Sequence, residues 1–224
     1  MARQLSFDLP VRTALGRADF FVSSANATAV TMIEGWRTWP ARKLVLVGPR
    51  GAGKTHLAHV WAAQSGARII PARDVAAADI PALAEGPVAV EDCDTIAGDR
   101  AAEDALFHLH NLALAEGQSL LFTATAAPNH WPLVLPDLAS RMQGTPTVQI
   151  APPDDELLMA VMMKLFSDRQ LSPAPQVLPY LTRRIDRSFD AARDIVERLD
   201  AAALEHRRPI NTTLARDLLD NDDT

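Results

Sequence analysis

Between residues 42 and 150 the chain alternates short apolar runs with longer amphipathic stretches. The runs are LVLVG (44–48), ARII (67–70), PVAVE (87–91), SLLFTAT (119–125) and TVQI (147–150). Most are continuous rather than alternating, the pattern of strands buried on both faces of a parallel sheet. Helical spacing fills 54–65, stopped by Gly66, and 101–116, stopped by Gly117. Glycine takes the left-handed backbone that ends a helix. The series predicts an α/β architecture: a five-stranded parallel sheet with right-handed crossovers and helices on both faces.

Past Ile150 the pattern changes. PPDDELLMAVMMKLFSDRQ opens with prolines and acids suited to a helix N-terminus, then sets Leu157, Val161, Lys164 and Leu165 at helical spacing. The stretches 175–185, 189–204 and 213–219 read as three more helices, with no strand-like run among them. The chain therefore divides into an extended arm at 1–18, an α/β domain at 19–152 and a small all-α domain at 153–224.

With 48% hydrophobic residues in 224, the chain can bury a substantial core. A net charge of −6 argues against a protein that chiefly coats nucleic acid. The single cysteine, Cys93, excludes an internal disulfide and reads as a small packed residue. The sequence offers no long apolar span, and the polar start MARQLSFDLP lacks the core of a signal peptide. A cytoplasmic protein without membrane association is expected.

The chemistry begins where the first run ends. GPRGAGKTH comprises Gly48, Pro49, Arg50, Gly51, Ala52, Gly53, Lys54, Thr55 and His56 and fits G-x-x-x-x-G-K-[ST]. Glycines let successive N–H groups face phosphate oxygens, the lysine adds a cation, and the threonine hydroxyl suits Mg²⁺. A helix starting near Gly53 adds its positive end. Glu91 and Asp92 close the third run, where a phosphate loop needs acids for a metal's water shell and an attacking water. A bare acidic pair there also suits a solvated turn or a helix cap.

Thr123 and Thr125 end the fourth run, at the edge of a sheet that faces ligand. Thr125 is the candidate for sensing a terminal phosphate; an ordinary strand-end threonine is the alternative. LPDLASRMQG puts Ser140 and Arg141 on a short helix before the last run, and Arg141 taken alone reads as a solvated charge. His56 with His59, and His108 with His110, lack carboxylate or cysteine partners and read as polar helix positions rather than metal ligands.

In this order GKTHLAHV, the acidic pair, FTATAAP, the SRM helix and APPDDELLMAVMMK resemble the AAA+ ATPase domain of the bacterial replication initiator DnaA, over roughly residues 19–219. The resemblance implies an AAA+ P-loop domain followed by an α-helical lid. It implies ADP or ATP as cofactor with Mg²⁺, held through Thr55 and, by way of water, Glu91. It makes Arg141 an arginine finger that acts in trans on a neighbour's nucleotide.

Departures from the family pattern narrow the expectation. The family carries aspartate in the first acidic position, where this chain has Glu91, followed by the shorter Asp92 in the water-polarising place. An error near ~1 Å costs ~10²-fold in rate, so the order favours holding a nucleotide over consuming it. The family's lid arginine would fall near Asp190 and Ala191; Arg193 takes its place from the next turn, or the position is vacant. The sequence shows no helix-turn-helix beyond the lid, and a sequence-specific DNA-binding domain is not expected. Gln4, Leu5, Ser6, Phe7 and Leu9 look like the peptide that docks on the DNA polymerase III sliding clamp.

An AAA+ module so headed is similar to regulatory inactivators of DnaA, which implies DnaA and the clamp as partners. Weak or absent ATPase of its own is then expected, with self-association left open. A self-sufficient ATPase resembling helicase loaders, or a small-molecule kinase, is the alternative.

Overall fold

The computed structural model describes residues 21–206 and 208–220. Five strands form one sheet in the order β2-β3-β4-β1-β5. They are β1 (Lys43–Val47), β2 (Arg68–Pro71), β3 (Val88–Glu91), β4 (Leu120–Ala124) and β5 (Thr147–Gln149). Every pairing is parallel, with Val45 opposite both Phe122 and Thr147. β1 thus lies between β4 and β5, and all five carboxyl ends open on the same edge.

Side chains of β1 alternate between two cores, as the two-residue period of a strand requires. Leu44 and Leu46 pack with α1 (Ala27–Glu34) and α2 (Lys54–Ser65) through Ala29, Ile33, Leu57 and Trp61. Val45 and Val47 pack toward α3 (Ile80–Ala84), α4 (Arg100–Ala115) and α5 (Pro136–Gln143) through Ala84, Leu106, Leu109 and Leu138. Both faces of the sheet are therefore covered, as the unbroken apolar runs anticipate.

The helices begin and end where local chemistry directs. Gly66, at φ 75°, closes α2, and Gly117, at φ 77°, follows α4. Asp99 caps α4 by accepting the amides of Ala101 and Ala102. Asp154 caps α6 (Asp155–Asp168) by accepting that of Leu157 at 2.8 Å.

Helices α6, α7 (Val177–Thr182), α8 (Phe189–His206) and α9 (Thr212–Asp220) enclose a third core of their own, built on Leu158, Met162, Phe166, Leu181, Ile195 and Leu199. This is the helical lid beyond the α/β unit. Among the described residues, Phe189 N–H donates to the Gly51 carbonyl at 2.8 Å and the Ser24 hydroxyl lies 3.5 Å from Asp154, which ties the lid to the α/β unit. No helix of the described residues is long and apolar enough to cross a membrane.

Candidate nucleotide-binding site

β1 delivers the phosphate loop. Gly48 N–H donates to the Ala124 carbonyl of β4 at 3.1 Å, which fixes the loop to the sheet's carboxyl edge. A Cβ on Gly48 would come within 2.9 Å of the Ile150 carbonyl, so no other residue fits there without displacing β5's exit. Gly51 and Gly53 take φ of 68° and 92°, the left-handed region that favours glycine. Lys54 opens α2 and is only 7% exposed; its ammonium donates to the carbonyls of Gly48 at 2.7 Å and Pro49 at 3.0 Å. Pro49, Arg50 and Thr55 are exposed, His56 is half-buried, and Ala52 is packed beneath the loop.

Burial lowers the pKa of Lys54, opposed by the charges of Asp92, Asp94, Asp190 and Glu91 in that order. The charges of these four carboxylates all favour the charged form of Lys54. Glu91 ends β3 half-buried, and its Oε1 is buried without a hydrogen-bond partner. Asp92 is exposed and turns through φ 57°, with its N–H donated to the Thr123 hydroxyl at 3.0 Å. The two threonines of β4 and its exit thus divide their work: buried Thr123 sets the backbone of Asp92, and exposed Thr125 faces Asp94. The Thr125 amide donates to Asp94 Oδ2 at 2.9 Å, and its hydroxyl bonds to the same oxygen.

Asp94 escaped the sequence reading because it follows the acidic pair on a 3₁₀ turn (Cys93–Ile96) that returns it toward β4. The spacing of VEDCD was its only signal. Cys93, fully buried beneath that turn, has its thiol pKa raised by burial and then by the Asp94 charge, and it donates weakly to the Val90 carbonyl.

The lid reaches the loop through the first turn of α8. A Cβ on Gly51 would meet Ser188 Cβ at 2.8 Å and the amide and Oδ2 of Asp190 at 3.1 Å each. Asp190 Oδ1 pairs with Arg193 at 3.3 Å. The residue that rides on the loop is therefore an aspartate, with Arg193 one carboxylate further out.

Arg141 lies beside the opposite end of β1. Its carbonyl accepts from buried Lys43 at 3.2 Å and from the Thr145 hydroxyl at 2.8 Å, while its side chain is exposed. Lys43 also lies 3.1 Å from His110 Nε2, and Asn111 Oδ1 faces Nδ1 of the ring at 3.2 Å. The lysine must donate, so this histidine is neutral with its proton on Nδ1. Burial, opposed by the Asn111 contact and aided by the charges of Lys43 and Arg141, brings its pKa down to about 4. Lys43 is lowered by burial and then by Arg141.

Farther along the same face, wholly buried Glu103 accepts from the amides of Gly98, Val134 and Leu135, the last at 2.7 Å. It pins the segment that enters α5. The clamp-peptide residues Gln4, Leu5, Ser6, Phe7 and Leu9 lie outside the described residues.

No known protein-family model matches the chain. Among solved structures, domain III of the replication initiation protein DnaA from Thermotoga maritima is similar, with a TM-score of 0.79 and 19% identity over 96% of this chain and 98% of that one. AMPPCP-bound DnaA from Aquifex aeolicus matches with a TM-score of 0.68 and 16% identity over 81% of this chain and 63% of that one. RuvB from Thermotoga maritima matches with a TM-score of 0.68 and 16% identity over 91% and 70%. The chain thus spans less than two thirds of that longer DnaA structure. At these identities the likeness establishes the fold alone: an α/β domain with a five-stranded parallel sheet, followed by a helical lid.

Proposed function

We propose that the protein is a nucleotide-holding regulator of the Hda type. It binds ADP or ATP with Mg²⁺ in the loop 48–56, docks on the DNA polymerase III sliding clamp through residues 4–9, and presents Arg141 to ATP held by DnaA. The observation that carries the reading is the separation of two cationic sites along β1. Lys54 sits beyond the carboxyl end of the strand and Arg141 beside its start. The strand between them is ~13 Å long at ~3.3 Å per residue.

The residues suit a polyphosphate. Glycine alone fits at Gly48, the buried ammonium of Lys54 is held against the loop, and the opening of α2 contributes N–H groups. Thr55 and Glu91 would hold Mg²⁺, the second through water; the unpartnered Glu91 Oε1 suits that part. When bound, the nucleotide would supply a polyphosphate to the loop 48–56. The AMPPCP carried by the Aquifex DnaA structure supports the ligand class.

Two features favour holding over turnover. Asp92 is exposed and turned into the left-handed region, and Thr125 is committed to Asp94 through both its donors. Arg141 has the planar fork that matches phosphoryl oxygens and, delivered from a neighbour, neutralises charge that develops on them. Its main chain is held on two sides by Lys43 and Thr145, so the side chain projects from a fixed base. The test is conversion of DnaA-bound ATP to ADP in the presence of this protein and DNA-loaded clamp. Loss of conversion in its absence supports the reading, and equal conversion without it opposes the reading.

A further inference from the structure

Helix α5 begins without a cap of its own. Leu135 precedes it, an apolar residue whose side chain bonds to no amide of the first turn, and Pro136 opens it. The polar group that meets this entry comes instead from α4. Glu103 Oε2 accepts the Leu135 amide at 2.7 Å and the Val134 amide at 3.0 Å, while Oε1 accepts those of Val134 at 3.1 Å and Gly98 at 2.8 Å. Each of these contacts is made by an N–H, so this wholly buried position calls for two acceptors and no donor, which a carboxylate supplies.

The other end of α5 is held from α4 as well. His110 lies two turns beyond Glu103 on the same face of α4, also buried, and meets Lys43, which donates to the Arg141 carbonyl at 3.2 Å. Between these two holds, Leu138 and Met142 share a core with Leu106 and Leu109 of α4. Helix α5 is thus laid along α4 with polar groups fixing its entry and exit and apolar ones its middle, and the Arg141 side chain stands exposed near its end.

We propose that Glu103 is a positioning residue for Arg141: its carboxylate fixes the entry of α5 and hence the direction in which that helix carries the arginine to a neighbour's nucleotide. The inference rests on the trans-acting reading of Arg141 above and deepens it. From Leu135 to Arg141 the helix rises about 9 Å. Over so short a rod, a shift of ~1 Å at the entry reaches the arginine at comparable size, and errors of that size cost up to ~10²-fold where reacting groups must be aligned. The same carboxylate holds Gly98, just beyond the turn Cys93–Ile96 that bears Asp94, so the entry of α5 is referenced to the exit of β3 rather than to a free loop.

The test separates aim from amount. Conversion of DnaA-bound ATP to ADP, with DNA-loaded clamp, is followed over a range of concentrations of the unaltered protein, Glu103→Gln and Glu103→Asp. Glutamine keeps the shape but turns an NH₂ against one pair of amides; aspartate keeps two acceptors and withdraws them by one methylene. The plateau rate should fall about tenfold in Glu103→Gln and less in Glu103→Asp, with the half-saturating concentration of folded protein and the affinity for ADP unchanged. Loss of folded protein alone does the reverse: the midpoint rises and the plateau returns as more protein is added. Melting curves and ADP titration give the folded fraction, and if Glu103→Gln does not fold, Glu103→Asp decides by the same criterion. A full plateau in the folded variants overturns the positioning role and leaves the reading of Arg141 standing. No stimulation by the unaltered protein overturns that reading and this inference with it.

Discussion

Lys43 donates its ammonium to the main-chain oxygen of Arg141 across 3.2 Å, from a side chain only 7% exposed. The same ammonium meets His110 Nε2, so a buried polar chain runs from α4 through β1 to the end of α5. It sets where Arg141 begins, since a carbonyl held on two sides leaves the arginine only its own rotamers.

Lys43→Met keeps length and packing while removing the donor. Nucleotide binding at the distant loop should be unchanged, and stimulation of DnaA-bound ATP hydrolysis should fall about three- to tenfold because the finger's base shifts. The unpaired His110 nitrogen should lower stability by about 1–3 kcal/mol. A titration, a hydrolysis time course and a melt check the three parts; full stimulation by the variant contradicts the positioning role.

His110 ties stability to pH. Its folded pKa of about 4 lies below the unfolded value near 6.5, so the unfolded chain binds more protons between them. Stability from this group is full above about pH 6.5 and is lost as pH falls toward 4. Replacing His110 with Phe should remove that component: the drop in melting temperature between pH 7 and 4.5 should be smaller in the variant by roughly 4 °C. Parallel melting curves across this range contradict it.

Gly51→Ala tests the docking of the lid. A Cβ there meets Ser188 Cβ at 2.8 Å at a φ of 68°, so the first turn of α8 must withdraw. The backbone conformation adds a cost of about 1 kcal/mol or more. Amide exchange at 189–192 should quicken about tenfold, whereas exchange in β1 and β4 should hold. Unchanged exchange in α8 would mean the contact does not hold the lid.

Lys54→Ala should abolish nucleotide binding without unfolding the chain, because the ammonium and the loop amides act on the same phosphates. The unaltered protein should turn over ATP well below the ~1–10³ s⁻¹ usual for enzymes. Titration of the variant and steady-state hydrolysis by the unaltered protein check the two halves; turnover at several per second contradicts the holding reading.

Much of this architecture is legible in the sequence. The unbroken run LVLVG, ending in a glycine-rich loop, marks both the parallel strand and its carboxyl edge; the strand limits and those of α2 and α4 fall within one residue of the pattern's, whereas the stretch 175–185 shortens to Val177–Thr182. Short helices were not legible. ATAVTMIE, rich in β-branched residues, and IPALA, with a proline in its first turn, become α1 and α3 because tertiary packing on the sheet overrides weak local signals.

At the candidate site the loop and acidic pair were visible, while the partners that depend on folding were not. Asp94 comes to Thr125 only through a turn, and Lys43 to Arg141 only through pairing of elements 98 residues apart. Asp190 was seen as a departure from a pattern; its contact with Gly51 needed the lid's placement.

The measurement that bears most directly on the central claim is the fraction of DnaA-bound ATP converted to ADP over time, with DNA-loaded clamp and either this protein or its Arg141→Ala variant. The Arg141 side chain is exposed, so the variant should keep its fold and bound nucleotide. Conversion should rise with the unaltered protein and fall by ~10³ or more toward the unstimulated rate with the variant, the scale on which trans-acting arginines work in other systems. Arg141→Lys should not restore it, because a point charge lacks the planar fork. Full stimulation by Arg141→Ala would contradict the account.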